Sequence, residues 1–112
     1  MKSDLQSKHC EACEGIGSAL TPEQIKNLLP QLSPLWSVNA DSTRITREFR
    51  FADFYETMCF VNALAWIANS ENHHPDLEAG YNYCRVHFMT HALQGLTHND
   101  FICAAKTDAL LD

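Results

Sequence analysis

Three observations predict an α+β fold, a four-stranded antiparallel sheet with three helices on one face in the order α-β-β-α-β-β-α. Segments opening at Thr21, Asp53 and Thr97 each join a helix-capping residue to apolar residues at helical spacing. Between them lie four short alternating or apolar runs, grouped as two hairpins. At 112 residues and 46% hydrophobic side chains, the chain is long enough for one core and too short for two.

The first helix begins at Thr21-Pro22-Glu23-Gln24, with Thr as N-cap, Pro at the first helical position and Gln where a capping box needs it. Ile25, Leu28, Leu29 and Leu32 form its apolar stripe, and Pro34 stops it near Leu32. Trp36 to Val38 reads as a short strand. Asn39-Ala40-Asp41-Ser42 supplies the turn, and Arg44 to Phe51 alternates as its partner strand.

Asp53 caps a second helix from Phe54 to Asn69, whose wide apolar surface predicts that it is largely buried, Trp66 and Cys59 included. Leu77 to Tyr81 and Cys84 to Thr90 read as a second hairpin around Asn82-Tyr83, with Cys84, Val86 and Phe88 facing inward. Thr97 and Asp100 have capping-box spacing for a last helix through Phe101, Ile102, Ala105 and Ala109. Trp36, Cys84 and Cys103 join the expected core. Residues 1–20 lack periodicity and read as a flexible extension, leaving 21–112 as the single domain.

Composition narrows the function classes. With 8 basic and 14 acidic residues the net charge is −6, which disfavours nucleic acid and anionic membranes as partners. The first twenty residues are too charged for a secretory signal, and Met58 to Ala68 is too short to span a bilayer. Five cysteines cannot all pair within one chain. A reducing, cytoplasmic setting without a disulfide framework is expected.

Six histidines carry the chemical signal. His73 and His74 precede Pro75, and His91 closes the next strand. A hairpin centred on Asn82-Tyr83 sets His74 opposite His91, about 5 Å apart at Cβ. Asp100, at the start of the last helix, suits either a cap or a partner for an imidazole. Three imidazoles and a carboxylate fit zinc or acid/base catalysis, and spacing leaves both open. His9-Cys10-Glu11-Ala12-Cys13 offers two of four zinc ligands with His9 as a third, against a solvated tail as the plain alternative. His87, off the inward parity of its strand, and His98 read as surface residues.

Glu71-Asn72-His73-His74-Pro75-Asp76-Leu77, then Thr90-His91 and Gly95-Leu96-Thr97-His98-Asn99-Asp100, resemble the signature of pterin-4a-carbinolamine dehydratases. The likeness extends through Phe51-Ala52-Asp53-Phe54 and Trp36, covering Thr21 to the C-terminus. It implies an active site of His73, His74, His91 and Asp100. His73 and His91 are then the proton-transfer groups, His74 holds the pterin, and Asp100 orients a histidine or the ring. Some members carry an acidic residue four positions before the histidine pair; here Asn69 stands there and Glu71 two later.

The His9-Cys10 to Cys13 extension resembles bacterial members that accompany phenylalanine hydroxylase. The implied reaction is dehydration of 4a-hydroxytetrahydropterin to quinonoid dihydropterin, recycling the cofactor of an aromatic amino-acid hydroxylase. It calls for no cofactor and no metal, since imidazole, with a pKa of about 6.5, exchanges protons near neutral pH. A homodimer or homotetramer is also implied. The competing readings are a protein-interaction or transcriptional cofactor of the same fold, and a histidine-based metal-binding module.

Overall fold

The computed structural model describes residues 4–11 and 18–111. Its elements are α1 (Pro22–Leu28), β1 (Ser37–Val38), β2 (Ile45–Arg50), α2 (Phe54–Glu71), β3 (Asp76–Ala79), β4 (Tyr83–Phe88) and α3 (His98–Ala109), with 3-10 turns at Asp4–Ser7, Leu29–Gln31 and His91–Leu93. The strands form one antiparallel sheet in the order β1-β2-β4-β3. This is the α+β arrangement expected from the sequence.

Local chemistry explains the helix limits. The Thr21 and Gln24 side chains each accept the other's backbone N–H, which starts α1. Pro30 cannot donate an i→i−4 bond, so α1 gives way to the 3-10 turn before Leu32. Asp53 Oδ1 accepts Glu56 N at 2.9 Å to open α2. Asn72 ends it in the left-handed conformation at φ 52°, which asparagine tolerates better than most residues.

On the inner face of the sheet, Ile45, Phe49, Cys84, Val86 and Phe88 are all essentially buried, joined in the core by Phe60 and Leu64 of α2 and by Phe101 and Ile102 of α3. Each large apolar side chain so buried contributes about 1.5–3 kcal/mol, so a one-residue slip of β2 or β4 would be heavily penalised. Arg47 shares this inward parity. Asp108 near the end of α3 meets it at 2.5 Å and also accepts the Trp36 indole N–H at 2.8 Å.

Three expectations need correction. First, α2 buries only one stripe, of Thr57, Phe60, Leu64, Ile67 and Ala68, while Trp66 is 72% exposed and Cys59 is exposed. Apolar residues surround the helix, but only one side has a layer to pack on. Second, the second hairpin pairs Leu77 with Val86, which centres its turn on Tyr81-Asn82, one residue earlier than expected. Gly80 sets that turn: its N–H bonds Tyr83 O at 3.0 Å, and a Cβ there would lie 2.2 Å from the Tyr83 ring. Third, and as a consequence, His74 and His91 are not cross-strand partners.

The described part of the N-terminal segment lies along α3. Leu5 is 2% exposed within the core, and Lys106 Nζ donates to Gln6 O at 2.9 Å. A single apolar anchor leaves no periodicity to read in the sequence. Cys13 falls outside the described residues.

Candidate active site

The site is assembled at the end of α2. The left-handed Asn72 turns the chain so that His73 N still reaches Ala68 O at 3.1 Å, delivering both histidines to the rim of the sheet. His73 Nε2 lies 2.6 Å from Asp100 Oδ1, and its ring stacks on Phe88 with centroids 6.3 Å apart. A carboxylate oxygen accepts, so the hydrogen sits on Nε2 and the Nδ1 lone pair stays available.

Asp100 has no solvent exposure. Its Oδ2 accepts from Thr90 Oγ1 at 2.8 Å and from Thr97 N at 3.0 Å. The capping and imidazole-orienting readings of this residue are therefore both satisfied, one by each oxygen. Burial without these three donors would cost several kcal/mol, so the network and the carboxylate require one another.

His74 is exposed, with Nε2 3.0 Å from Asn69 Oδ1. His91 opens the turn after Thr90, which Gly95 anchors by a two-way backbone bridge. Its Nε2 is 4.0 Å from Asp76 Oδ2. His73, His74 and His91 open on one cleft of about 390 Å³, shared with Cys10, Glu11 and Glu71. Asp100 does not line this cleft; it reaches it through His73.

His87 lies on the opposite face of the sheet, bonded to Glu78 Oε2 at 2.6 Å and to Thr46 Oγ1 at 2.7 Å. It belongs to a polar lattice with Glu48 and Arg85 and takes no part in the cleft. No group of three His, Cys, Asp or Glu among the described residues has metal-holding geometry.

Sequence reasoning missed the N-terminal contribution to the cleft. Glu71 Oε1 accepts Cys10 N at 2.7 Å, and Oε2 meets His9 Nδ1 at 2.9 Å. Burial pushes the Glu71 carboxyl up, but the Cys10 N–H, His9 and Lys106 outweigh it and hold it below its ordinary value. The Cys10 and Cys103 sulfurs stand 3.4 Å apart as free thiols; this contact and burial push the Cys103 thiol far up. The Cys10-to-Cys13 motif was the available signal, but Glu71 as its partner is sixty residues away and invisible to spacing.

Residues 18–110 match the family model described as pterin 4 alpha carbinolamine dehydratase. A Legionella pneumophila protein named provisionally as a pterin-4-alpha-carbinolamine dehydratase is 76% identical over 99% of this chain and 98% of its own length. A Nitrosomonas eutropha protein with the same provisional name is 53% identical over 96% of this chain and 94% of its own. A Brucella melitensis crystal structure, titled as a transcriptional coactivator/pterin dehydratase, superposes with a TM-score of 0.80 at 30% identity, covering 85% of this chain and all of that one.

Proposed function

The chain belongs to the pterin 4 alpha carbinolamine dehydratase family, and on that premise we propose that its three-histidine cleft removes water from a 4a-hydroxytetrahydropterin to give quinonoid dihydropterin. The enzyme class is hydro-lyase. The observation that carries the assignment is His73 bonded to the buried Asp100 at 2.6 Å while opening on the same cleft as His74 and His91.

The reaction needs one proton delivered to the departing 4a-hydroxyl and one taken from N5, while the nitrogen lone pair drives the hydroxide out. Asp100 fixes the His73 tautomer and ring plane, leaving Nδ1 to exchange a proton with the bound pterin. His91, across the cleft mouth, is the second proton-transfer group. His74 holds the pterin, positioned by Asn69, which replaces the acidic residue some relatives carry. Asp100 acts through His73 and not by touching the substrate.

In the cell this activity regenerates the tetrahydropterin cofactor of an aromatic amino-acid hydroxylase, with phenylalanine hydroxylase as the functional partner. The protein works in the cytoplasm as a homodimer or homotetramer. The test is a dehydration assay on carbinolamine generated by a hydroxylase. Faster decay than the unaided reaction is expected, and an unchanged rate overturns the reading.

A second reading, as an interaction protein, draws on the description of the Brucella protein as a transcriptional coactivator and on the exposed Tyr55 and Trp66 of α2. Binding alone has no use for the His73–Asp100 network.

A further inference from the structure

We propose that Glu71 is a positioning residue that pins His9–Glu11 across the end of α2, so that this segment forms one wall of the pterin site. The inference rests on the pterin reading of the cleft and adds a substrate-binding element from outside the residues 18–110 that match the family.

The segment is held by side chains from two helices. From α2, Glu71 accepts Cys10 N at 2.7 Å and contacts His9 Nδ1 at 2.9 Å, with Lys106 Nζ at 3.8 Å. From α3, Asn99 accepts Glu11 N at 3.0 Å and donates to Glu11 O at 2.6 Å. Cys10 Sγ rests against Cys103 Sγ and Asn99 O. Residues 9–11 lie in no strand or helix, so these clamps fix the path of the backbone.

Cys10 and Glu11 line the cleft with the three histidines. The Glu71 side chain is only 7% exposed, and both its oxygens are engaged by the segment and Lys106. It therefore acts on a bound pterin through the wall it holds. A wall of this kind contacts substrate and transition state alike, so its loss raises KM and leaves kcat nearly unchanged.

The experiment compares full-length wild type, Glu71→Ala, Glu71→Gln and the control Glu78→Gln, which lies on the other face of the sheet. Dehydration kinetics are measured alongside titration with 7,8-dihydropterin. Glu71→Ala should raise KM and the pterin Kd about tenfold with kcat within about threefold. Glu71→Gln should recover most of the loss, because its amide oxygen still accepts Cys10 N. Glu78→Gln should behave as wild type.

Peptide-resolved alkylation of wild type provides a readout that needs no variant to fold. Saturating 7,8-dihydropterin should slow modification of Cys10 several-fold and leave Cys59, on the outer face of α2, unchanged. If pterin binds wild type but neither protects Cys10 nor depends on Glu71, the wall is wrong and the function stands. If wild type neither binds pterin nor accelerates dehydration, the functional reading itself fails.

Discussion

Asp100 Oδ1 lies 2.6 Å from His73 Nε2 with no solvent exposure, so this buried carboxylate bonds one imidazole of the cleft while its other oxygen caps α3. Asp100→Asn keeps the shape but weakens acceptance from His73, Thr90 and Thr97. We expect kcat to fall about tenfold and stability to drop by roughly 1–3 kcal/mol, the cost of imperfectly satisfied buried partners. Steady-state kinetics and thermal melting check both; unchanged kcat with reduced stability would leave Asp100 a cap only.

The Glu71 carboxyl is held below its ordinary value of 4.5. A lowered folded-state pKa stabilises the protein fully above the unfolded value and loses that contribution as pH falls through the folded value. The window therefore lies below about pH 4.5. Wild type should exceed Glu71→Gln by on the order of 1 kcal/mol at neutral pH, and the gap should close in acid. Thermal melts of both proteins from pH 7 to pH 3 make the comparison, and a gap that stays constant in acid would discount the ion pairs with His9 and Lys106.

The outer face of α2 exposes Tyr55 at 78% and Trp66 at 72%, large apolar area that association would remove from water. Sedimentation at micromolar concentration should show a dimer or tetramer, and Trp66→Glu should shift it toward monomer. A wild-type monomer under those conditions contradicts the assembly.

Legibility in the sequence followed the range of the interactions. The caps at Thr21, Asp53 and Thr97 were readable because each is complete within four residues. Cys84, Val86 and Phe88 were readable as inward positions because strand parity is local. Trp66 was misplaced because composition reveals an apolar helix but not how many of its sides find neighbours. The hairpin turn lies one residue earlier than expected because the Tyr83 ring packs where a Cβ on residue 80 would sit, a contact that turn preferences do not reveal. The three histidines were marked by motif resemblance, whereas the Glu71 and Asn99 clamps on residues 9–11 join positions sixty to ninety apart and leave no local trace.

Metal removal should leave the enzyme fully active. The Nε2 atoms of His73 and His74 already face Asp100 and Asn69 oxygens, and the proposed reaction needs only proton transfer. Dialysis against a chelator, followed by metal analysis and assay, should give full turnover with no stoichiometric zinc. Activity lost on chelation and restored by zinc would reverse the mechanism.

The histidines themselves give the most direct test. His73 is mostly buried against Phe88 and Asp100, whereas His91 is 66% exposed, so the two substitutions to Ala differ in structural cost. His91→Ala should leave the melting temperature unchanged, while His73→Ala strands a buried carboxylate without one of its donors and should lower it. General acid/base groups contribute about 10²- to 10⁴-fold. Carbinolamine also dehydrates unaided and each variant keeps two histidines, so losses toward the lower end are expected, with the double variant losing more. His74→Ala should raise KM more than it lowers kcat. His87→Ala, in the lattice on the far face of the sheet, should retain turnover even if it melts earlier. A double His73, His91 variant that stays folded by circular dichroism and fully active, beside a crippled His87→Ala, would move the active site to the other face of the sheet.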